Sequence, residues 1–250
     1  MILEMVTHLS KNYIIKNDDA LLITDIQKDF LPGGALPIEN ADEIIPVLND
    51  YIRFFDNAKA HILASRDWHP KNHTSFKIQG GPWPPHCVQE TLGAKFSADL
   101  KLPPQTIVIS KATNPEREAY SAFDGTSLEH ELRTCGVKRL FIGGLATDYC
   151  VVNTIVDARK LGFETVVLMD ATLGINVEPG DVDRAIETML ENGAQQATAD
   201  DFPDVVDTLP LEAAQPDALE EKPSLRAEVK KKARMRSKGS AKRIRTERKG

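Results

Sequence analysis

Cysteine is scarce in this 250-residue chain, which has only Cys87, Cys135 and Cys150. An odd number of cysteines without regular spacing excludes a disulfide framework as the basis of the fold. No apolar run approaches the ~20 residues of a transmembrane helix, so we expect no membrane-spanning segment. The N-terminus carries Glu4 and has no apolar segment typical of a secretory signal peptide. We therefore expect a soluble protein of the cytoplasm or another intracellular compartment.

Positive charge is also scarce over most of the chain and is concentrated at the C-terminal end. The formal net charge is −6, from 31 Lys and Arg against 37 Asp and Glu. Residues 222–250 hold thirteen of the basic and two of the acidic residues, which leaves a charge of −17 in residues 1–221. The sequence therefore predicts an acidic globular domain at 1–208, followed by a linker and a basic, disordered tail at 209–250.

The tail admits two interpretations. The first is a solvated, charged extension without a partner. The second is an electrostatic contact with nucleic acid or another polyanion, which would be compatible with a nuclear location. A block as basic as residues 222–250 binds polyanions at low salt whether or not this is its role, so both interpretations stay open.

Short apolar runs alternate with segments of helical periodicity through most of the remaining chain. The predicted strands are 20–24, 61–65, 106–110, 137–142, 165–170 and the short 195–198. The predicted helices are 41–55, 127–135, the segment after Cys150, and 182–192. This alternation predicts an α/β protein, a three-layer Rossmann-like fold with a mostly parallel central sheet and helices on both faces.

Chemically useful side chains follow four of the predicted strands. Asp25, Asp67 and Lys111 come at or just after strand ends, and Cys150 lies where a strand turns into a helix. Parallel sheets bind ligands outside the carboxyl ends of their strands. We therefore expect these four side chains to converge at one edge of the sheet. Taken singly, each has a commoner role, such as a turn-forming Asp, a solvated Lys or a small buried Cys.

Together, Asp25, Lys111 and Cys150 could form a nucleophile that needs no histidine. Asp25 could take the thiol proton, and Lys111 would favour both anions. We expect Thr147 or Asp148 to cap the helix after the turn. The N-terminus of that helix would lower the pKa of the Cys150 thiol and offer N–H groups to an oxyanion.

A second set of side chains has the composition of a metal site. Asp67 and His69 are two residues apart, and His86 lies in a Trp-Pro-Pro-His context within the long, Pro- and Gly-rich connection 70–105. Asp and His suit Zn²⁺, Fe²⁺ or Mn²⁺, of which Zn²⁺ is the main expectation. His73 is a candidate for an additional ligand or for supporting one.

From about residue 20 to residue 200, the chain resembles the nicotinamidase branch of the isochorismatase-like cysteine hydrolases. The motifs that carry the resemblance are TDIQKDF at 24–30, SRDWHPKNHTSF at 65–76, GGPWPPHCV at 80–88, SKATN at 110–114, AYSAFDG at 119–125 and GLATDYCV at 144–151. Plain isochorismatases resemble the same scaffold without the D-x-H…H metal set, so this set favours the nicotinamidase branch. The basic tail is outside the family pattern.

The resemblance implies a role for each matching residue. Asp25, Lys111 and Cys150 match the catalytic triad, and Ala146 and Cys150 supply the oxyanion N–H groups after a cis peptide at Leu145–Ala146. The implied ligands of one divalent metal are Asp67, His69 and His86. The implied binding site for the pyridine ring consists of Phe30 and Trp83, with Tyr120 close to the same pocket.

The activity implied is the hydrolysis of nicotinamide to nicotinate and ammonia through a Cys150 thioester, a step of NAD salvage, by a homo-oligomer. The metal would hold the pyridine nitrogen and order water. Two alternatives remain: a related cysteine hydrolase acting on another small amide, and a non-catalytic binding protein in which the tail is the functional part.

Overall fold

The computed structural model describes residues 12–202. The predicted linker and basic tail at 209–250 lie outside the described residues. The strands are β1 (Asp19–Thr24), β2 (His61–Asp67), β3 (Ile107–Lys111), β4 (Arg139–Leu145), β5 (Glu164–Leu173) and β6 (Gln195–Ala197). The α-helices are α1 (Ile45–Asn57), α2 (Leu128–Thr134), α3 (Val152–Lys160) and α4 (Asp181–Glu191).

The six strands form one sheet in the order β3-β2-β1-β4-β5-β6, and every neighbouring pair is parallel. The predicted α/β class and central parallel sheet are confirmed, and the sheet is parallel throughout rather than mostly. The strand order reverses beside β1, which is where open α/β sheets form their ligand crevices. The carboxyl ends of β1, β2, β3 and β4 consequently lie side by side.

Helices cover both faces of this sheet, as expected. All six residues of β1 are buried. Leu21 and Ile23 pack into the apolar cluster that contains α1, whereas Ala20 and Leu22 pack into the cluster that contains α2, α3 and α4. Because successive side chains of a strand point to opposite faces, burial of both sets requires a helical layer on each side.

Element boundaries differ from the predicted ones where the chain approaches the site. β2 continues to Asp67 and β5 to Leu173, several residues beyond the apolar runs that signal them. The predicted helix at 41–55 begins as a 3₁₀ turn, Ala41–Ile44, before α1 starts. β2 gains the polar Arg66 and Asp67, and in β5 the polar Asp170 interrupts the apolar run before Ala171, Thr172 and Leu173. Polar residues carry no hydrophobic signal, so sequence periodicity underestimates both strands.

The long connection between β2 and β3 is held by backbone pairing. His69 N–H donates to Cys87 O (3.0 Å), and Gln89 N–H donates to His69 O (2.9 Å). Further out, Trp83 N–H donates to Ser75 O (3.0 Å). These bonds fold the segment back over the carboxyl ends of the strands. Within residues 12–202, no helix combines the length and apolar character needed to cross a bilayer.

Candidate active site

The Lys111 ammonium group lies at the centre of the side chains predicted to converge. Its Nζ is 3.0 Å from Asp25 Oδ2, 2.5 Å from Asp67 Oδ1 and 3.2 Å from Cys150 Sγ. The side chains of Lys111 and Asp25 are fully buried. Asp67 and Lys111 end neighbouring strands and are direct register partners, which explains their contact. The expected convergence of Asp25, Asp67, Lys111 and Cys150 is therefore confirmed.

Asp25 leaves the end of β1 in a left-handed conformation, with φ of 53°. Ser65 Oγ donates a hydrogen bond to Asp25 Oδ1 (2.7 Å), so one carboxylate oxygen is occupied. The other oxygen, Oδ2, faces the Lys111 ammonium. A carboxylate oxygen of Asp25 also lies within 4.8 Å of Cys150 Sγ. Asp25 can therefore exchange a proton with the thiol after a small movement.

Burial dominates the electrostatics of the proton donor and acceptor. It raises the pKa of the Asp25 carboxyl, with Lys111 opposing this effect and Asp67 adding to it. It also raises the pKa of the Cys150 thiol well above its ordinary value, again against Lys111 and with a contribution from Asp25. The expectation of a lowered thiol pKa was wrong, because desolvation and two nearby carboxylates outweigh the helix terminus and the ammonium group.

Lys111 keeps its charge in this setting. Burial alone would lower the pKa of its ammonium group, but Asp25, Asp67 and Cys150 hold that pKa well above the ordinary value. The free protein therefore holds a charged Lys111 beside a neutral thiol, and the raised pKa makes the ionised form of Asp25 a stronger base than an exposed Asp carboxylate. A base of this strength beside a neutral thiol and a fixed cation is the arrangement from which a thiol can be activated.

The turn that carries Cys150 follows β4 directly. The peptide between Leu145 and Ala146 is cis, as the resemblance implies. Gly144 has a φ of 118°, and a Cβ there would lie 2.1 Å from Thr24 O, so β4 approaches β1 more closely than any other residue would permit. The assignment of the Ala146 and Cys150 N–H groups to an oxyanion stays a prediction.

The predicted cap of this helix was wrong. The turn is a π-helical segment, Thr147–Val151, that starts after Ala146 and has no side-chain cap. Asp148 instead accepts hydrogen bonds from Ile175 N–H (2.9 Å) and Asn176 N–H (2.7 Å) in the loop after β5. Thr147 Oγ1 bonds to Thr172 Oγ1 (2.8 Å) in β5. Both side chains tie the turn to a neighbouring segment because their oxygens find partners there.

The three expected metal ligands lie together. Asp67, His69 and His86 are buried, and one ligand atom from each lies within 4.8 Å of the others. His69 Nδ1 lies 3.0 Å from His86 O, and His86 Nδ1 lies 2.8 Å from Pro84 O. A backbone carbonyl can only accept, so each Nδ1 carries a proton and each Nε2 offers a lone pair. This arrangement is typical of metal-binding histidines.

The charges of Asp67 and His69 also fit a cation. Burial lowers the pKa of His69 to about 4, so its imidazole is neutral at pH 7. Burial alone would raise the pKa of Asp67, but Lys111, His69 and His86 hold it below its ordinary value. A neutral imidazole, as in His69, and an ionised carboxylate, as in Asp67, are the forms that bind Zn²⁺, Fe²⁺ or Mn²⁺.

His73 does not present a free nitrogen to this site. Its ring centroid lies 4.4 Å from that of the His69 ring, with the two planes tilted by 45°. Its Nδ1 lies 2.7 Å from Ser75 Oγ and its Nε2 lies 3.1 Å from Arg117 O. His73 therefore packs against His69, and a role in supporting that residue stays a prediction.

A pocket of about 360 Å³, including its open mouth, is lined by Cys150 and by the three candidate metal ligands. Phe30, Trp83 and Tyr120 all line it, as the resemblance implies. Trp83 Nε1 donates to Tyr120 Oη (3.2 Å), which fixes the two rings relative to one another. Flat aromatic walls next to a candidate metal site suit a small planar heterocycle.

Four further residues line the pocket without having been predicted from the sequence: Leu36, Glu118, Tyr149 and Ile175. The Tyr149 ring packs edge-on against Trp83 (centroids 5.2 Å apart) and lies 5.3 Å from Tyr120. Its position next to Cys150 in the chain was a signal that could have been used. Ile175 follows β5 in a polar loop, and nothing in its local sequence marks it.

Comparisons with known proteins agree with this geometry. A model of the isochorismatase domain matches residues 19–201. The nicotinamidase of Escherichia coli is 37% identical over 204 residues, which cover 73% of this chain and 96% of the relative. The pyrazinamidase of Pyrococcus horikoshii, solved in complex with zinc, is 52% identical at a TM-score of 0.70 and covers 72% and 99% of the two chains.

PnC1 from L. infantum, solved in complex with nicotinate, is 34% identical at a TM-score of 0.70. The matched regions cover 76% of this chain and 98% of that protein. The family model covers the whole sheet and every site residue described above. The chain therefore belongs to the isochorismatase family of hydrolases.

Proposed function

We propose that this protein is a nicotinamidase that hydrolyses nicotinamide to nicotinate and ammonia in NAD salvage. The observation that carries the proposal is the contact of one buried ammonium group, Lys111, with a base, a nucleophile and a metal-ligand carboxylate. The names of the E. coli relative and the nicotinate-bound structure support the choice of substrate. The aromatic pocket beside this cluster supports a planar ring as its occupant.

The mechanism begins with proton transfer from Cys150 Sγ to the Asp25 carboxylate. The raised pKa of Asp25 makes it a stronger base than an exposed Asp, and Lys111 stabilises the thiolate that forms. Sγ then attacks the carboxamide carbon, and the carbonyl π electrons move to oxygen. The Ala146 and Cys150 N–H groups are the proposed donors to this oxyanion.

Collapse of the tetrahedral species breaks the carbon–nitrogen bond. Asp25 returns its proton to the departing nitrogen, so ammonia leaves and a thioester on Cys150 remains. Water then adds to the thioester carbon with Asp25 as the base, and the Cys150 thiol is regenerated as nicotinate leaves. A metal bound by Asp67, His69 and His86 would supply a Lewis-acid contact for the ring nitrogen of the substrate.

Ammonia release from nicotinamide by the purified protein tests the proposal, with nicotinate identified by chromatography. Cys150→Ala should lower kcat by roughly three orders of magnitude or more while the fold is retained. Cys135→Ala is the matched control, because Cys135 directly follows α2 and does not line the pocket. Equal loss in both variants, or activity retained in Cys150→Ala, would remove Cys150 from the nucleophile role.

The alternative, a hydrolase of another small amide, is tested by relative kcat/KM. The kcat/KM for nicotinamide should exceed that for linear N-carbamoyl amides. The linear amides have no ring to pack against Phe30, Trp83 and Tyr120. A preference for the linear amides would assign a different substrate to the same chemistry. Failure to release ammonia from any amide would favour a non-catalytic role.

A further inference from the structure

Strand β2 extends further toward the site than its neighbour β1. The last backbone bond between them runs from Asp25 N–H to Ser65 O (3.2 Å), after which Asp25 turns the chain away. Hydrogen-bonding directions alternate along a strand, so the N–H and C=O of Asp67 point to the same side as those of Ser65. Beyond the end of β1, these two buried groups need another partner.

The side-chain amide of Gln27 is that partner. Gln27 Oε1 accepts from Asp67 N–H (2.7 Å), and Gln27 Nε2 donates to Asp67 O (2.8 Å). The second Nε2 hydrogen goes to Ala94 O (2.9 Å). The amide thus makes the two hydrogen bonds that a backbone residue would make if β1 continued. Its orientation is fixed, because only the oxygen can accept from the N–H and only the nitrogen can donate to two carbonyls.

Gln27 is itself held firmly. Its side chain is fully buried, its N–H donates to Asp25 O (2.8 Å), and its C=O accepts from Phe30 N–H (3.1 Å). It also forms an isolated antiparallel bridge with Phe96. A buried side chain with this many fixed partners has one accessible rotamer. It therefore transmits the position of the Asp25 turn to the backbone of Asp67.

We propose that Gln27 is the positioning residue of the metal site, setting the Asp67 backbone so that its carboxylate reaches both Lys111 and the two histidines. The inference rests on the proposed metal role of Asp67, His69 and His86. It also explains how the base and the metal ligand keep a fixed separation: Asp25 and Gln27 are two residues apart, and both contact β2.

The test is the affinity of the purified, metal-free protein for Zn²⁺, measured by competition with a chromophoric chelator. Gln27→Met keeps the length of the side chain and removes all three hydrogen bonds. Gln27→Asn keeps the amide but shortens it by one methylene, so it cannot reach Asp67. We expect both to bind Zn²⁺ about 10–100-fold more weakly, the range typical of residues that support metal ligands.

Gln89→Met is the matched control. Gln89 Nε2 donates to the carbonyl of Trp68, the residue next to Asp67, at 2.9 Å. The substitution removes this side-chain bond but keeps the backbone bond from Gln89 N–H to His69 O. Its Zn²⁺ affinity should stay within about twofold of the wild type. Thermal unfolding of the metal-free proteins distinguishes an effect on metal binding from an effect on stability. A purely structural role of Gln27 would lower the melting temperature and leave the Zn²⁺ affinity unchanged.

Wild-type Zn²⁺ affinity in a folded Gln27→Met or Gln27→Asn protein would overturn the proposal. Weakening of the same size in Gln89→Met would also overturn it, as would failure of both Gln27 variants to fold, since Gln27 would then act on the fold alone. The readout needs no substrate. Zn²⁺ binding without ammonia release from nicotinamide would therefore refute the proposed function and leave the role of Gln27 intact.

Discussion

Replacement of Lys111 by Met should destabilise the protein strongly. The substitution nearly preserves the volume of the side chain but leaves the buried carboxylates of Asp25 and Asp67 facing one another without a cation. Removing one partner of a buried ion pair typically costs about 3–5 kcal/mol. A domain of this size loses roughly 2–4 °C in Tm per kcal/mol, so we expect Tm to fall by about 6–20 °C.

The loss should depend on pH in a defined direction. Burial already raises the pKa of Asp25 in the wild type, and removing Lys111 removes the charge that opposes this rise. An acid whose pKa is higher in the folded state binds more protons when folded, so its contribution to stability worsens as pH increases through the folded pKa. The deficit of Lys111→Met relative to wild type should therefore be smaller at pH 5 than at pH 8.

The assay is urea unfolding of metal-free protein at both pH values, followed by circular dichroism. Lys138→Met is the matched control, because Lys138 pairs with Asp18 at a similar distance (3.0 Å) but is exposed. Its unfolding curve should match the wild type. A deficit below about 1 kcal/mol for Lys111→Met at pH 8, or an equal deficit at both pH values, would refute the reasoning from buried charge.

Three further predictions concern the site and the tail. Asp25→Asn should abolish ammonia release and also shift the pH midpoint of Cys150 alkylation by iodoacetamide downward. Burial and the Asp25 carboxylate both raise the thiol pKa, and the substitution removes only the second cause; an unchanged midpoint would argue against the coupling. Chelation should inactivate the enzyme reversibly, and His86→Ala should both lower the metal content and raise KM for nicotinamide. Full activity of the demetallated protein would reject the metal assignment. Truncation after residue 208 should leave kcat/KM within about twofold of the full-length value, a difference in activation free energy of under ~0.5 kcal/mol. The truncation should abolish any salt-sensitive binding of polyanions. A large loss of activity would instead show that the tail contributes to catalysis.

The sequence alone determined the class of fold and the location of the site. Apolar runs alternating with helical periodicity are local signals, and they correctly predicted the parallel sheet and the helices on both faces. Asp25, Asp67, Lys111 and Cys150 could be assigned to one edge because parallel strands place their carboxyl ends together. The proximity of Asp67 and His69 could also be predicted, because they are only two positions apart in the sequence.

Only the tertiary structure decided how these residues interact. The direction of the Cys150 pKa depends on burial and on carboxylates that are more than 80 positions away in the chain, so the helix terminus alone gave the wrong sign. Asp148 was expected to cap its own helix, but it finds the N–H groups of a distant loop instead. The hydrogen bonds from Gln27 to Asp67 join residues 40 positions apart. They form because β1 ends before its neighbour β2 does. Such contacts arise from packing between segments, which local periodicity and motif spacing do not encode.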